Sequence, residues 1–227
     1  MTKMAKNKNN KEEAIALDVE LRKSEAFIEK HLKKILIVLA AVIVVVAGFF
    51  IYKNHMESVE AEAQGAIAKA QAQFYQEQYE TALNGDGAAS KGFLNIISDY
   101  SSTETANLAK LYAGLSYYNL KKYEDAVKYL EGFDAKDDKS ISPTAVAALG
   151  NCYVQLDQKE KGAETLLKAA KQANSNLSAV FMVQAAMVYE GLGQNDKALG
   201  IYNDVKANYQ TSPLYQEMDK YIERVSK

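Results

Sequence analysis

The sequence predicts an all-α protein, with a single N-terminal transmembrane helix followed by an α-solenoid of helical hairpins. Three observations predict it. An uncharged apolar run at residues 35–52 is long enough to cross a bilayer, a 36-residue pattern recurs three times between 107 and 214, and only two prolines occur in 227 residues. Proline interrupts helices, whereas the abundant Ala, Lys, Glu, Gln and Leu favour them.

Residues 1–34 form an arm with nine Lys/Arg against six Asp/Glu, a net charge of +3. Its first eleven residues (MTKMAKNKNNK) are polar and low in complexity, which predicts disorder. From Glu12 onward the arm reads as a helix, with Leu17, Leu21, Ile28 and Leu32 on one face. That face suits the membrane surface or a neighbouring protein, and the mixed charge favours the protein.

Residues 35–52 (ILIVLAAVIVVVAGFFIY) carry no charge. At about 1.5 Å per residue they cover roughly 27 Å, close to the hydrocarbon thickness of a bilayer. Lys30, Lys33 and Lys34 precede the run, and Phe49, Phe50 and Tyr52 gather at its exit, the level aromatic side chains favour. A cleaved leader is the alternative; the long, partly acidic arm and the length of the run argue against it. The lysine excess ahead of the run places the N-terminus in the cytoplasm and the rest outside.

Residues 53–106 read as a lead-in. A long Ala/Gln/Glu-rich helix is expected over 57–83, then a turn at Asn84-Gly85-Asp86-Gly87 and a second helix over about 88–100, carrying Phe93, Leu94, Ile96 and Ile97. This pair is a divergent first repeat.

Segments 107–142, 143–178 and 179–214 align without gaps. Gly114, Gly150 and Ala186 fall in register, as do Tyr117, Tyr153 and Tyr189, then Leu120, Leu156 and Leu192. Further on come Ala126, Gly162 and Ala198, then Leu130, Leu166 and Tyr202. Each period places a small residue where a first helix meets its partner, an aromatic ring three positions later, a polar break, and a second helix with its own small crossing residue. Such a hairpin cannot bury both faces alone, so it stacks on its neighbours.

These residues resemble the tetratricopeptide repeat family. The resemblance rests on Gly-Leu-Ser-Tyr at 114–117, YEDAVKYL at 123–130, Gly-Asn-Cys-Tyr at 150–153 and YEGLGQNDKA at 189–198. The period exceeds the usual 34 residues by two, predicting slightly longer helices or loops. Lys110, Val146 and Met182 stand where the family has an aromatic, and the proline near the repeat end is missing. Pro143 and Pro213 lie near repeat boundaries instead, where a helix can begin. Residues 215–227 bring Met218, Tyr221, Ile222 and Val225 into the phase of a further first helix, a capping helix without a partner.

The layout as a whole resembles the YfgM family, ancillary subunits of the SecYEG translocon. From about Phe27 on, the likeness is one of architecture and repeat pattern. It implies a bacterial inner-membrane protein with a periplasmic C-terminal domain. The implied partners are the translocon, a membrane-anchored periplasmic chaperone and exported client chains. A structural scaffold in envelope biogenesis, for cell division or outer-membrane assembly, is the alternative.

Chemistry is not legible in this chain. His31 and His55 flank the apolar run on opposite sides, and Cys152, the single cysteine, excludes an intrachain disulfide and a multi-cysteine metal site. With no histidine beyond His55 to activate it, Cys152 reads as a structural thiol. Gly87-Ala-Ala-Ser-Lys-Gly92 lacks the Lys-Ser/Thr ending of a phosphate loop, and Asp137-Asp138 reads as a solvated connection. Net charge −2 leaves no basic field for nucleic acid. The expectation is therefore a non-enzymatic protein without cofactor or metal.

Binding remains. The concave groove of such arrays is lined by first helices, and the register assigns to it Leu111, Leu115, Tyr118 and Asn119, then Ala147, Asn151, Val154 and Gln155, then Val183, Met187 and Glu190. Apolar residues mixed with amides suit an extended peptide or a docked helix. The basic residues that clamp a terminal carboxylate are absent. The alternative at each position is packing within the array or under the helix at 57–83.

Overall fold

The computed structural model describes residues 2–87 and 90–227, with side chains described for residue 22 and, within those segments, from residue 30 onward. The chain is all-helical: α1 (Thr2–Tyr75), α2 (Tyr79–Asn84), α3 (Phe93–Asp99), α4 (Glu104–Asn119), α5 (Tyr123–Glu131), α6 (Ile141–Gln155), α7 (Lys159–Gln172), α8 (Ser175–Gly191), α9 (Asn195–Asn208) and α10 (Met218–Val225). It divides into two compact units, Met1–Glu57 and Ser58–Lys227.

In the first unit, every residue from 35 to 52 is exposed, and the most apolar stretch of α1 has a mean hydropathy of 3.1 with none of it buried. This helix is long and apolar enough to cross a membrane. Where composition predicts disorder over residues 1–11, the backbone is helical from Thr2. Neither glycine nor proline interrupts the chain before Gly48, and lengthening an existing helix avoids the cost of nucleation. The side chains of Leu17, Leu21 and Ile28 lie outside the described residues; Leu32 is exposed.

In the second unit, Ala63, Ile67 and Ala70 bury one face of α1 with Leu83, Phe93, Ile96 and Ala106. Phe74 is the hub, meeting Tyr75, Tyr79, Phe93 and Tyr112 edge-on at 5.3–6.4 Å between ring centroids. Glu60 accepts hydrogen bonds from Thr105 Oγ1 (2.5 Å) and the backbone N–H of Glu104 (3.0 Å) and Thr105 (3.4 Å). A carboxylate from α1 thus satisfies free N–H groups at the start of α4, where the helix dipole also favours it.

The helix read over 57–83 is in fact two. Glu77 adopts a left-handed φ of 60°, and Gln78 N–H donates to the Gln73 carbonyl at 2.9 Å. The same stop recurs at Lys121, Asp157 and Gly193 (φ 60°, 59° and 70°), with residues 122, 158 and 194 donating to the carbonyls of Tyr117, Tyr153 and Tyr189 at 2.9 Å. This is the Schellman ending, in which the left-handed residue lets the next N–H reach back to an orphan carbonyl. It costs a side-chain-bearing residue about 1–2 kcal/mol, which Gly193 avoids.

The next helix begins at Phe93 rather than near 88, a position outside the described residues. Gly92 stays extended because the chain doubles back there: a β-carbon on it would lie 2.2 Å from the Leu83 carbonyl oxygen and 2.3 Å from the Gly85 nitrogen.

Hairpins α4–α5, α6–α7 and α8–α9 follow. The 36-residue period is filled in two ways. α7 and α9 have 14 residues each and short connections, whereas α5 has nine and the remainder runs through residues 132–140. Asp138, expected as a solvated connection, anchors that loop. It accepts from the N–H of Ser140, Ile141 and Ser142 and from Ser142 Oγ, serving as the missing cap of α6. Asp137 is fully solvated.

The register tyrosines tie the hairpins together. Lys161 lies over Tyr153 (3.6 Å to the ring centroid) and Lys197 over Tyr189 (4.9 Å), each eight residues on. In the first hairpin that position is Asp125, and Tyr117 stacks on Tyr129 instead (5.3 Å). The C-terminal stretch starts with a 3₁₀ turn at Pro213–Glu217. α10 then buries Met218 and Val225 and stacks Tyr221 on Tyr202 at 5.3 Å.

Candidate functional site

Small residues fix which way each first helix faces. Gly114 on α4 points at α5, where a β-carbon would lie 2.5 Å from Leu130 Cγ, and Gly150 on α6 points at α7, 3.0 Å from the Gly162 carbonyl oxygen. At about 100° per residue, positions 118, 154 and 190 lie only about 40° from that direction, and positions 111, 147 and 183 about 60°. Positions 108, 112, 115 and 119, with their equivalents, lie roughly 100–160° away.

The side chains follow this geometry. Tyr118 meets Tyr123 of α5 edge-on at 5.5 Å. Val154 lies over Gly162 of α7, its Cγ2 2.4 Å from where a β-carbon would stand. Glu190 accepts from Tyr202 Oη of α9 (3.1 Å) and pairs with Arg224 of α10 at 2.5 Å. Tyr118, Val154 and Glu190, partly exposed, thus each also pack on their own hairpin partner or on the cap. Leu111, Ala147 and Val183 are buried at 5%, 3% and 4% exposure, packing between hairpins, although Leu111 also reaches a cavity floor.

Of the sequence-derived set, Met187 is 41% exposed and Leu115 and Asn151 are partly exposed. Asn119 and Gln155 are exposed, and Asn119 Nδ2 donates to the Leu115 carbonyl at 2.8 Å. Leu115 lines a cavity of about 420 Å³ between the end of α1, α4 and the start of α6. Its other walls are Phe74, Tyr75, Leu108, Leu111, Tyr112, Ser140, Ile141 and Thr144. Tyr75 is 70% exposed and Ile141 50%, so the mouth is open and apolar. Tyr75 and Tyr112 share a hydroxyl hydrogen bond of 2.9 Å at the wall; burial and this bond push the Tyr112 hydroxyl up to about 12.

Phe74, Tyr75, Leu108, Tyr112, Ile141 and Thr144 were not in the sequence-derived set. The signal for the α4 members was present, since they lie opposite Gly114. Tyr75 and Phe74 carry no such signal, because no glycine or proline marks the end of α1. None of residues 108, 112, 115, 119, 144, 148, 151, 155, 180, 184, 187 and 191, which lie on the side turned from the small residues, is charged, in a chain where 25% of residues are; Ala148 among them is buried.

Among the described residues there is no group of three or more His, Cys, Asp or Glu that could hold a metal ion. Cys152 is fully buried, and burial pushes its thiol up to about 12, away from the reactive thiolate.

The charged groups that matter are structural. Arg224 beside Glu190 holds that carboxyl below its ordinary range. Burial alone would raise Glu60 and Asp138, but their hydrogen bonds from Thr105 and Ser142 and from backbone N–H groups outweigh it, and both are lowered. A carboxyl with a depressed folded pKa contributes stability that is complete above its unfolded value and is lost as pH falls through the folded one. The melting temperature should therefore hold above pH 4.5, the ordinary glutamate value, and drop below it. Thermal melts from pH 7 to 3 should show this drop, and the double variant Glu60→Gln/Glu190→Gln should show a shallower one from a lower starting point.

The family model described as Tetratricopeptide repeat matches residues 108–140 and 181–212, which correspond to α4–α5 with the following loop and most of α8–α9. The intervening hairpin, α6–α7, repeats the same period and the same Schellman ending. The chain carries tetratricopeptide repeats. No curated protein matches it.

Proposed function

We propose that this chain, with tetratricopeptide repeats behind a helix long and apolar enough to span a bilayer, is a non-enzymatic membrane-anchored adaptor. Its groove binds protein partners on the outer side of the membrane. The observation that carries the reading is the open apolar cavity formed by α1, α4 and α6 on a repeat scaffold of a protein-interaction type. Residues 35–52 hold the anchor, with the N-terminus cytoplasmic and the repeats in the periplasm of a bacterial inner membrane; the lysines ahead of the run support that orientation.

The finer proposal is a place beside the SecYEG translocon, passing exported chains to a membrane-anchored periplasmic chaperone. The support is the likeness of the arm, span and repeat layout to the YfgM family. Site-specific photo-cross-linking in intact membranes tests it, with one probe at Ile141 in the groove and one at Val45 in the span. Translocon subunits are expected from the span probe, and client chains or a chaperone from the groove probe. Absence of translocon subunits from both probes removes the translocon placement. Recovery of cell-division or outer-membrane-assembly proteins replaces it with the scaffold role.

A further inference from the structure

We propose that a second cavity, between α7, α8 and α9, is a binding site for a short apolar peptide with free ends. It is separate from the groove and does not depend on the adaptor reading. The cavity measures about 450 Å³, within the range of small-molecule sites. Ser178 lies on its wall, whereas Met187 faces the other way; the two stand about 180° apart around α8. The cavity thus lies on the second-helix side of the array.

The sequence departs from its own repeat here. One 36-residue period earlier, the residues equivalent to Leu167, Ala170, Ala173 and Ser175 are Glu131, Asp134, Asp137 and Lys139. Four charged positions have become apolar or small. Leu167, Met182 and Ile201 then form an apolar floor, with Met182 buried and the other two half-buried. The interval between α5, α6 and α7 stacks with the charged set, so stacking alone does not require the apolar one.

Three polar positions line the same cavity, and each matches one part of a peptide. Ser178 Oγ and Tyr209 Oη share a hydrogen bond of 2.9 Å. That bond uses one of the two hydroxyl hydrogens, which leaves the other to donate to a peptide carbonyl. Lys171, exposed on α7, makes no ion pair among the described residues and suits a carboxylate. Asp204, exposed on α9, accepts from Asn208 Nδ2 at 2.5 Å through one oxygen and keeps the other for an ammonium group. An apolar acid would leave Asp204 unmatched beside it, and an apolar amine would do the same to Lys171. A molecule with both charges answers both.

The test is isothermal titration calorimetry on the full chain in lipid nanodiscs, with empty nanodiscs as the blank and leucyl-leucine as the probe. A Kd of roughly 0.1–1 mM is expected, ordinary for a ligand of about seventeen non-hydrogen atoms. N-acetyl-leucyl-leucine, leucyl-leucine amide and glycyl-glycine should each bind about tenfold more weakly or worse. Lys171→Gln should weaken leucyl-leucine about tenfold and leave its amide unchanged. Asp204→Asn should weaken leucyl-leucine equally and leave the N-acetyl form unchanged. Both side chains are exposed, so neither substitution disturbs the core. Ile141→Glu, in the groove, should have no effect. Absence of leucyl-leucine binding, equal binding of the blocked forms or of glycyl-glycine, indifference to both cavity substitutions, or loss of binding in Ile141→Glu would each overturn the proposal.

Discussion

Cells producing the chain with Val44→Arg and Val45→Arg are expected to lose it from carbonate-washed membranes. The two valines stand at the middle of residues 35–52 and are 70% and 71% exposed, so the substitutions break no packing within the chain. Arginine at the centre of a spanning helix costs roughly 2.5–3.5 kcal/mol, so the pair opposes insertion by about 6 kcal/mol. Snorkelling offers little relief, because both ends of the span are about 13 Å away along the helix. Retention of the double variant in washed membranes would show that some other segment is the anchor. Sequencing the wild-type chain from the same membranes completes the test. A mature N-terminus beyond residue 52 would make the run a removed leader.

Gly162→Ala should lower the melting temperature by about 4–8 °C, while Gly200→Ala should raise it by about 2–4 °C. Both glycines lie inside helices, α7 and α9, where exchange to alanine by itself stabilises by about 1 kcal/mol. At Gly200 nothing lies within 4 Å of the added methyl, so that gain is kept. At Gly162 the methyl would stand 2.4 Å from Val154 Cγ2, 2.8 Å from the Gly150 carbonyl oxygen and 3.0 Å from the Val154 nitrogen. Two of these are backbone atoms of α6, which can recede only if the hairpin opens. Overpacking of this kind costs about 1–3 kcal/mol or more, giving a net loss of about 2 kcal/mol. For a unit of this size 1 kcal/mol corresponds to about 2–4 °C. A rise in both variants would show that α6 and α7 do not depend on a glycine contact.

The repeat was legible because its signal is local and redundant. A small residue, a tyrosine three positions later and a polar break recur at a fixed spacing, and each follows from the geometry of one helical hairpin. The end of α1 was not legible. Tyr75-Gln-Glu-Gln-Tyr79 contains no glycine or proline, and the helix stops there because Phe74 is held among Tyr79, Phe93 and Tyr112 while Glu77 takes the left-handed conformation. Phe93 and Tyr112 lie far along the chain, so no window around residue 77 contains them. The groove was legible in part. Leu115, Asn151 and Met187 follow from register. The contacts of Tyr118, Val154 and Glu190 with their own hairpin partners and the cap were not legible, because they depend on which neighbour each small residue faces.

By itself the sequence determined that this chain is helical, that one segment is long and apolar enough to cross a bilayer, and that the rest is a stack of hairpins at a 36-residue period. Those properties depend on composition and spacing along the chain. The tertiary structure alone decided which face of α4 is open, that the end of α1 forms a wall of the cavity, and that Glu60, Asp138 and Glu190 serve the scaffold. Those properties depend on contacts between residues up to 45 positions apart, and only packing brings such residues together.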